Sequence, residues 1–291
     1  MNENLRLIQQ AKHHDPFNWL GWHPLPDGNW VLRVFLPAAE AVRVAGTSTE
    51  LTRIPNSDCF EYTSSSALPS HPLLQWQDKQ SSQWYDVISP YTFAPQIGDL
   101  DLHLLGEGRH HHTWTILGAH MRTVDSIEGC LFSVWAPHVH RVSVVGNFNH
   151  WDGRVHQMRS RGKSGIWELF IPGVQPGMAY KYEILTRDER VILKTDPYAQ
   201  QMFLRPETAS QVANTPQHQW QDQVWLAQRQ QFDWQHKPLS IYELHAGSWR
   251  KHPDGRFYSW ADLTDSLIPY VKGLNYTHIE LLPIAEHPLD E

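Results

Sequence analysis

Apolar and polar positions alternate in short bursts through the first two hundred residues. Val31–Gly46 reads "VLRVFLPAAEAVRVAG" and Leu131–Gly146 reads "LFSVWAPHVHRVSVVG". In each, a run of strand length is stopped by a proline, which cannot donate to a ladder. A second alternating run then ends at a glycine. After the second stretch, "GIWELFIPG" (Gly165–Gly173) and "YKYEIL" (Tyr180–Leu185) keep the same character, with turn residues between them. Short strands spaced by turns predict two antiparallel sheets packed as a sandwich of about 100 residues.

The two stretches are copies. Set one hundred residues apart, Val34 meets Val134, Pro37 meets Pro137, Val42 meets Val142, Val44 meets Val144 and Gly46 meets Gly146. "LGWH" at Leu20–His23 echoes "LGAH" at Leu117–His120, and "SPY" at Ser89–Tyr91 echoes "DPY" at Asp196–Tyr198. Matches in one order mark two tandem modules. They differ at one place. After Gly46 the first copy reads "TSTEL"; after Gly146 the second reads "NFNHWDG". A tryptophan beside two amides in a turn needs a reason, since Trp is usually covered for most of its area. The bland reading is a turn capped by its asparagines, with Trp151 lying over a sheet edge. A residue needed only to hold the sandwich would stand in both copies, so the turn points to something the second module alone does.

Toward the carboxyl end the period changes. "SIYEL" reads as a strand and "SWADLTDSLIPYVKGL" as a helix, with Ser259 as N-cap and Asp262 three residues on. Leu263, Leu267, Ile268 and Val271 form its apolar stripe, and Pro269 is expected to kink it. "THIELLPI" reads as a strand apolar enough to be buried on both faces. Strand, helix, strand is one βαβ unit, and an eight-fold barrel of such units takes roughly 250 residues. The expected organisation is mainly β: two tandem immunoglobulin-like β-sandwiches, residues 1–108 and 109–225, then residues 226–291 as a linker and the first βαβ unit of an incomplete (β/α)8 barrel. Val271, Ile279, Leu281, Leu282 and Ile284 would then lack neighbours from further strands.

Composition narrows the partners. A net charge of −7 over 291 residues argues against nucleic acid and anionic membranes. The opening "MNENLRLIQQAKHH" has no apolar run of signal-peptide length, so a cytoplasmic protein is expected. Cys59 and Cys130 are far apart and read as free thiols. His110–His112 point in different directions on strand or helix and read as a solvated linker, so no metal site and no cofactor is expected. The 14 tryptophans are a Trp-rich core, with some free to act as platforms for a ligand with a stackable face. Sugars are such ligands, since their C–H faces lie on aromatic rings and their hydroxyls bond at the edge.

"FSVWAPHVHRVSVVGNFNHWDGRVHQM", "SGIWELFIPG", "YKYEI" and "LKTDPYA" closely resemble the glycogen-binding module of bacterial 1,4-α-glucan branching enzymes. "DPFNWLGWHP" and "DLDLHLLGEGRH" resemble the two ends of the extra amino-terminal module of longer members. "SIYELHAGSW" and "THIELLPIAEHP" resemble the start of the family's α-amylase-type barrel. The resemblance implies a parent enzyme that cuts α-1,4 glucan and rejoins the piece through an α-1,6 bond by retaining transfer, with no cofactor and an α-glucan partner. It implies Trp151 as sugar platform, Asn147 and Asn149 as amides for ring hydroxyls, Lys181 as a glucan contact, and Trp167 as a further candidate whose strand context favours the core. The family's catalytic carboxylates lie on later strands, so none is expected here. Glu243, Glu280, Glu286 and Asp290 read as scaffold, and the 291 residues alone are expected to be inactive and monomeric. The other readings are a stand-alone glucan-binding protein and part of a debranching or trehalose-forming enzyme.

Overall fold

The structure, a computed structural model, describes residues 2–66, 69–204, 206–214 and 219–284. Glu286 and Asp290 lie outside these. The chain is mainly β and divides into two compact units, residues 1–215 and 216–291.

The first unit begins with helix α1 (Glu3–Gln9), followed by seven strands: β1 (Gly21–Pro24), β2 (Trp30–Phe35), β3 (Ala39–Val44), β4 (Glu50–Arg53), β5 (Cys59–Ser64), β6 (Leu73–Asp78) and β7 (Trp84–Ile88). Hydrogen bonds run unbroken in the order β1-β2-β5-β4-β3-β6-β7. Strand β4 pairs with both β5 and β3 and joins the two halves. Val34 of β2 lines one small void with Leu74 of β6 and Val87 of β7, so the sheet curls until its halves face each other. Leu32, Val34, Val42, Phe60 and Leu74 fill the space between.

Helix α2 (Asp99–Gly106) leads into the second copy: β8 (Gly118–Val124), β9 (Ile127–Trp135), β10 (Val139–Gly146), β11 (Arg159–Ser160), β12 (Ile166–Pro172), β13 (Ala179–Thr186), β14 (Val191–Lys194), β15 (Gln201–Met202) and β16 (Ser210–Gln211). One sheet runs β8-β9-β12-β11 and the other β10-β13-β16-β15, with β14 on β13. Phe132, Val134 and Leu169 of one sheet share a buried cluster with Val142, Val144, Tyr180 and Tyr182 of the other.

The repeat holds to the level of single hydrogen bonds. His23 Nε2 meets the Leu20 carbonyl at 2.8 Å, and His120 Nε2 meets the Leu117 carbonyl at 2.9 Å. Gly21 pairs with Arg33 and Gly118 with Ser133, and both glycines have positive φ. A Cβ on Gly21 would strike the Tyr91 carbonyl and one on Gly118 the Tyr198 carbonyl, which explains why "LG" and "PY" recur together.

The two copies share one core. Leu32 and Val34 face the first module's interior, while Phe35 on the other face of β2 joins the second module's cluster. Leu5, Ile8, Trp19 and Leu20 bury themselves in that same cluster. The Tyr91 hydroxyl donates to the Val155 carbonyl at 2.9 Å and accepts from the Gln157 N–H at 3.0 Å. Cys59 and Cys130 are buried free thiols in this core; burial pushes the Cys59 thiol up to about 12.

The second unit contains α3 (Gln223–Gln231), β17 (Ile241–Leu244), α4 (Ala246–Trp249), α5 (Trp260–Gly273) and β18 (His278–Leu281). Strands β17 and β18 are parallel, with Glu243 opposite Glu280. Helix α5 starts in a capping box: Ser259 Oγ accepts from the Asp262 N–H at 3.2 Å, and Asp262 accepts from the Ser259 N–H at 2.8 Å. Pro269 lies inside the helix. Three expectations are corrected. Ile268 is exposed, because the buried stripe runs Leu263, Leu267, Val271 and Ile268 falls one position off it. Val271 is covered by its own unit, beside Leu244 and Leu267. Strand β18 is exposed along its length, not buried on both faces, because β17 is its one strand partner among the described residues. No described helix is long and apolar enough to cross a membrane.

Candidate functional site

The difference between the copies sits between two equivalent strand pairs. In the first module the link from β3 to β4 is Ala45 to Thr49; in the second the link from β10 to β11 is Asn147 to Met158. Asn147–Asn149 form one 3-10 turn directly after Gly146. His150 and Trp151 then follow with φ of 52° and 61°. Two successive bulky residues in the left-handed region are uncommon, and each costs about 1–3 kcal/mol. Something must hold them there.

Asn149 is the main brace. It is 5% exposed. Its Oδ1 accepts from the Gly146 N–H at 2.9 Å, and its Nδ2 donates to the Val144 carbonyl at 2.8 Å and faces His156 Nδ1 at 3.0 Å. Both amide hydrogens are thus committed to the turn. His156 Nδ1 must be the acceptor, so its proton sits on Nε2. Burial pushes the His156 pKa down to about 4, against a smaller opposing pull from Asp152. The imidazole is neutral near pH 7, as the bond requires.

A second brace lies beneath. Buried Arg141 donates to Ser143 Oγ at 2.6 Å and to Glu183 at 2.8 Å, and its guanidinium reaches the Gly153 carbonyl at 3.4 Å. A Cβ on Gly153 would land on the Glu183 carboxylate, so the glycine is there for closeness. Asp152 accepts a forked pair from Arg154, at 3.0 Å from Nε and 2.7 Å from Nη2, and these bonds hold its carboxyl below the usual range against its burial.

What the braces present is the Trp151 ring, 39% exposed, in the same turn as the exposed Asn147. Lys181 stands on β13 opposite Val145, one position before the root of the turn. Its Nζ donates to Thr208 Oγ1 at 2.7 Å. Trp167 is elsewhere: it is 6% exposed, its ring belongs to the core between the sheets, and its Nε1 donates to the Ala136 carbonyl at 3.0 Å. The structure therefore brings Trp151, Asn147 and Lys181 to one end of one sheet, uses Asn149 to hold the turn, and packs Trp167 inside. The sequence reading did not pick out His156, Arg141, Glu183 or Gly153. "DG" gave a turn signal, but the contact that requires the glycine is thirty positions away in the fold's other strand.

Residues 116–199, which include every one of these candidates, match the family described as carbohydrate-binding module 48 (isoamylase N-terminal domain). Residues 1–90 match the N-terminal domain of alpha-1,4-glucan branching enzyme GlgB. Over 98% of its length the chain is 60% identical to the 1,4-alpha-glucan branching enzyme GlgB of Thiobacillus denitrificans. It is 48% identical to that of Methylococcus capsulatus over all of its length, and 49% identical to that of Hydrogenovibrio crunogenus over 99%. It spans 39% of the first two relatives and 40% of the third. The chain is thus similar to the amino-terminal portion of 1,4-alpha-glucan branching enzymes.

Proposed function

We propose that this chain is the glucan-holding portion of an enzyme that cuts α-1,4 glucan and rejoins the piece through α-1,6 bonds. The observation that carries it is the turn present in the second copy alone, where two strained residues are held so that Trp151 faces outward. A flat indole takes the C–H face of a glucosyl unit, and Asn147 and Lys181 bond its hydroxyls from the side. Lys181 would exchange its bond to Thr208 for one to the sugar. Asn149 acts indirectly, by holding the turn.

The reaction itself belongs to residues beyond these. A retaining transfer needs a nucleophilic carboxylate and an acid about 5–5.5 Å apart in a closed site. Glu243 and Glu280 lie opposite each other on β17 and β18, but both are exposed. We read β17-α5-β18 as the first unit of a (β/α)8 barrel whose next strands cover the apolar side chains of β18. The first unit we read as two immunoglobulin-like sandwiches, in a cytoplasmic, monomeric protein.

Native electrophoresis through glycogen-containing gel tests the binding. The chain is expected to be retarded, and Trp151→Ala to be retarded clearly less while keeping its melting temperature. Equal retardation of both proteins would overturn the reading.

A further inference from the structure

The turn has a second face. Its Phe148, His150 and Asp152 look into a half-open cavity of about 380 Å³, whose opposite wall comes from Pro37, Ala38 and Trp76 of the first module. Trp151 is not among the lining residues. The two modules belong to one compact unit and share a core, so this cleft is a fixed feature of the fold. Its volume falls within the range of small-molecule sites, about 300–1,000 Å³, and its mix of an apolar wall with a few polar groups is their usual lining.

We infer that this cleft is a second sugar pocket, distinct from the Trp151 face, which takes one or two α-glucosyl units of a short maltooligosaccharide with Trp76 as the stacking wall and Asp152 and His150 at the rim. The chemistry favours a sugar over a purely apolar ligand. The fork to Arg154 favours the ionised carboxylate of Asp152, which gives one side of the cleft a charged polar edge suited to hydroxyls. Trp76 is half-buried and propped at an angle by Tyr85, 5.2 Å away between ring centres, which fixes its ring while leaving it on the cavity wall. The inference also gives the first module a task. That module lacks the tryptophan turn of its own, but it supplies the wall that turns the far side of its neighbour's turn into a pocket. The proposal rests on the reading of the chain as a glucan binder, since α-glucan is the ligand class of both faces.

The test is a titration of the 15N-labelled chain with maltotriose, followed at the indole N–H signals. Trp76→Phe and Trp151→Phe assign the two signals by their disappearance. Both indoles are expected to move, each with its own saturation curve. Ala38→Trp, which fills the cleft without removing a contact, is expected to abolish the second set of shifts and leave the Trp151 curve within about twofold. Val87→Phe fills the same space from another wall, should Ala38→Trp not fold. Movement of Trp151 alone, or Trp76 shifts that survive filling of the cleft, would overturn the inference and leave the Trp151 site standing. Saturating Trp76 shifts without any at Trp151 would uphold the cleft and count against the proposed platform. Absence of any shift would contradict both.

Discussion

At the scale of single residues, the two asparagines of "NFNHW" divide the work. Asn147 is exposed and Asn149 is spent on Gly146, Val144 and His156. Their pairing in sequence gave no sign of this, because which amide turns inward depends on the direction of the 3-10 turn and on an imidazole seven positions away. The exposure of Trp151 on the turn was legible, since the sister copy lacks it. The Asn149–His156 bond makes the turn sensitive to acid. His156 has a folded pKa of about 4, below its ordinary 6.5. A depressed histidine stabilises the fold above its unfolded pKa and loses that contribution as pH falls from 6.5 through 4, on the order of 3 kcal/mol in all. Glycogen retention and melting temperature should therefore both decline between pH 6.5 and 4. His156→Gln keeps an acceptor that cannot be protonated, and should flatten that part of the decline. An equal decline in the variant would show that the turn is not held this way.

At the scale of elements, short strands and their stops were readable because proline and glycine act locally. The bond-for-bond identity of the two "LGxH" starts shows why the copies could be aligned at all. The helix α5 cap was readable for the same reason. Its buried stripe was misread by one residue, since Ile268 falls beside Leu267 in sequence but on the helix's outer side. The link from β10 to β11 depends on contacts that sequence does not order. Gly153→Ala should push Glu183 off Arg141 and leave a buried guanidinium short of its partner, at a cost of about 3 kcal/mol. Thermal melting of the variant checks this, and an unchanged melting point would mean that Glu183 moves freely. In α5, Ser259→Ala should cost about 1 kcal/mol through the lost cap. That cost is read by faster hydrogen exchange over Trp260–Leu263.

At the scale of the whole molecule, the tandem order was visible but the merging of the copies was not. The cluster that holds Phe132 and Tyr182 also holds Leu5, Ile8, Trp19 and Leu20, and nothing in the period of those early residues said which module they would enter. Removing residues 2–20 uncovers that cluster, at up to about 1.5–3 kcal/mol for each large side chain. The shortened protein should melt several degrees lower and bind a hydrophobic dye. A melting point equal to that of the full chain would show that the opening segment is not part of the core. The second unit is organised differently, with α5 covering one face of a two-stranded parallel sheet and Ile279, Leu281 and Leu282 left exposed.

Glucan binding by the second module depends on the Trp151 ring meeting sugar. A crystal structure of the chain with maltoheptaose tests this most directly. A glucosyl unit stacked on the Trp151 indole, with hydroxyls within hydrogen-bond distance of Asn147 and Lys181, is the predicted result. A bare Trp151 ring with the oligosaccharide seated elsewhere on the module would contradict it.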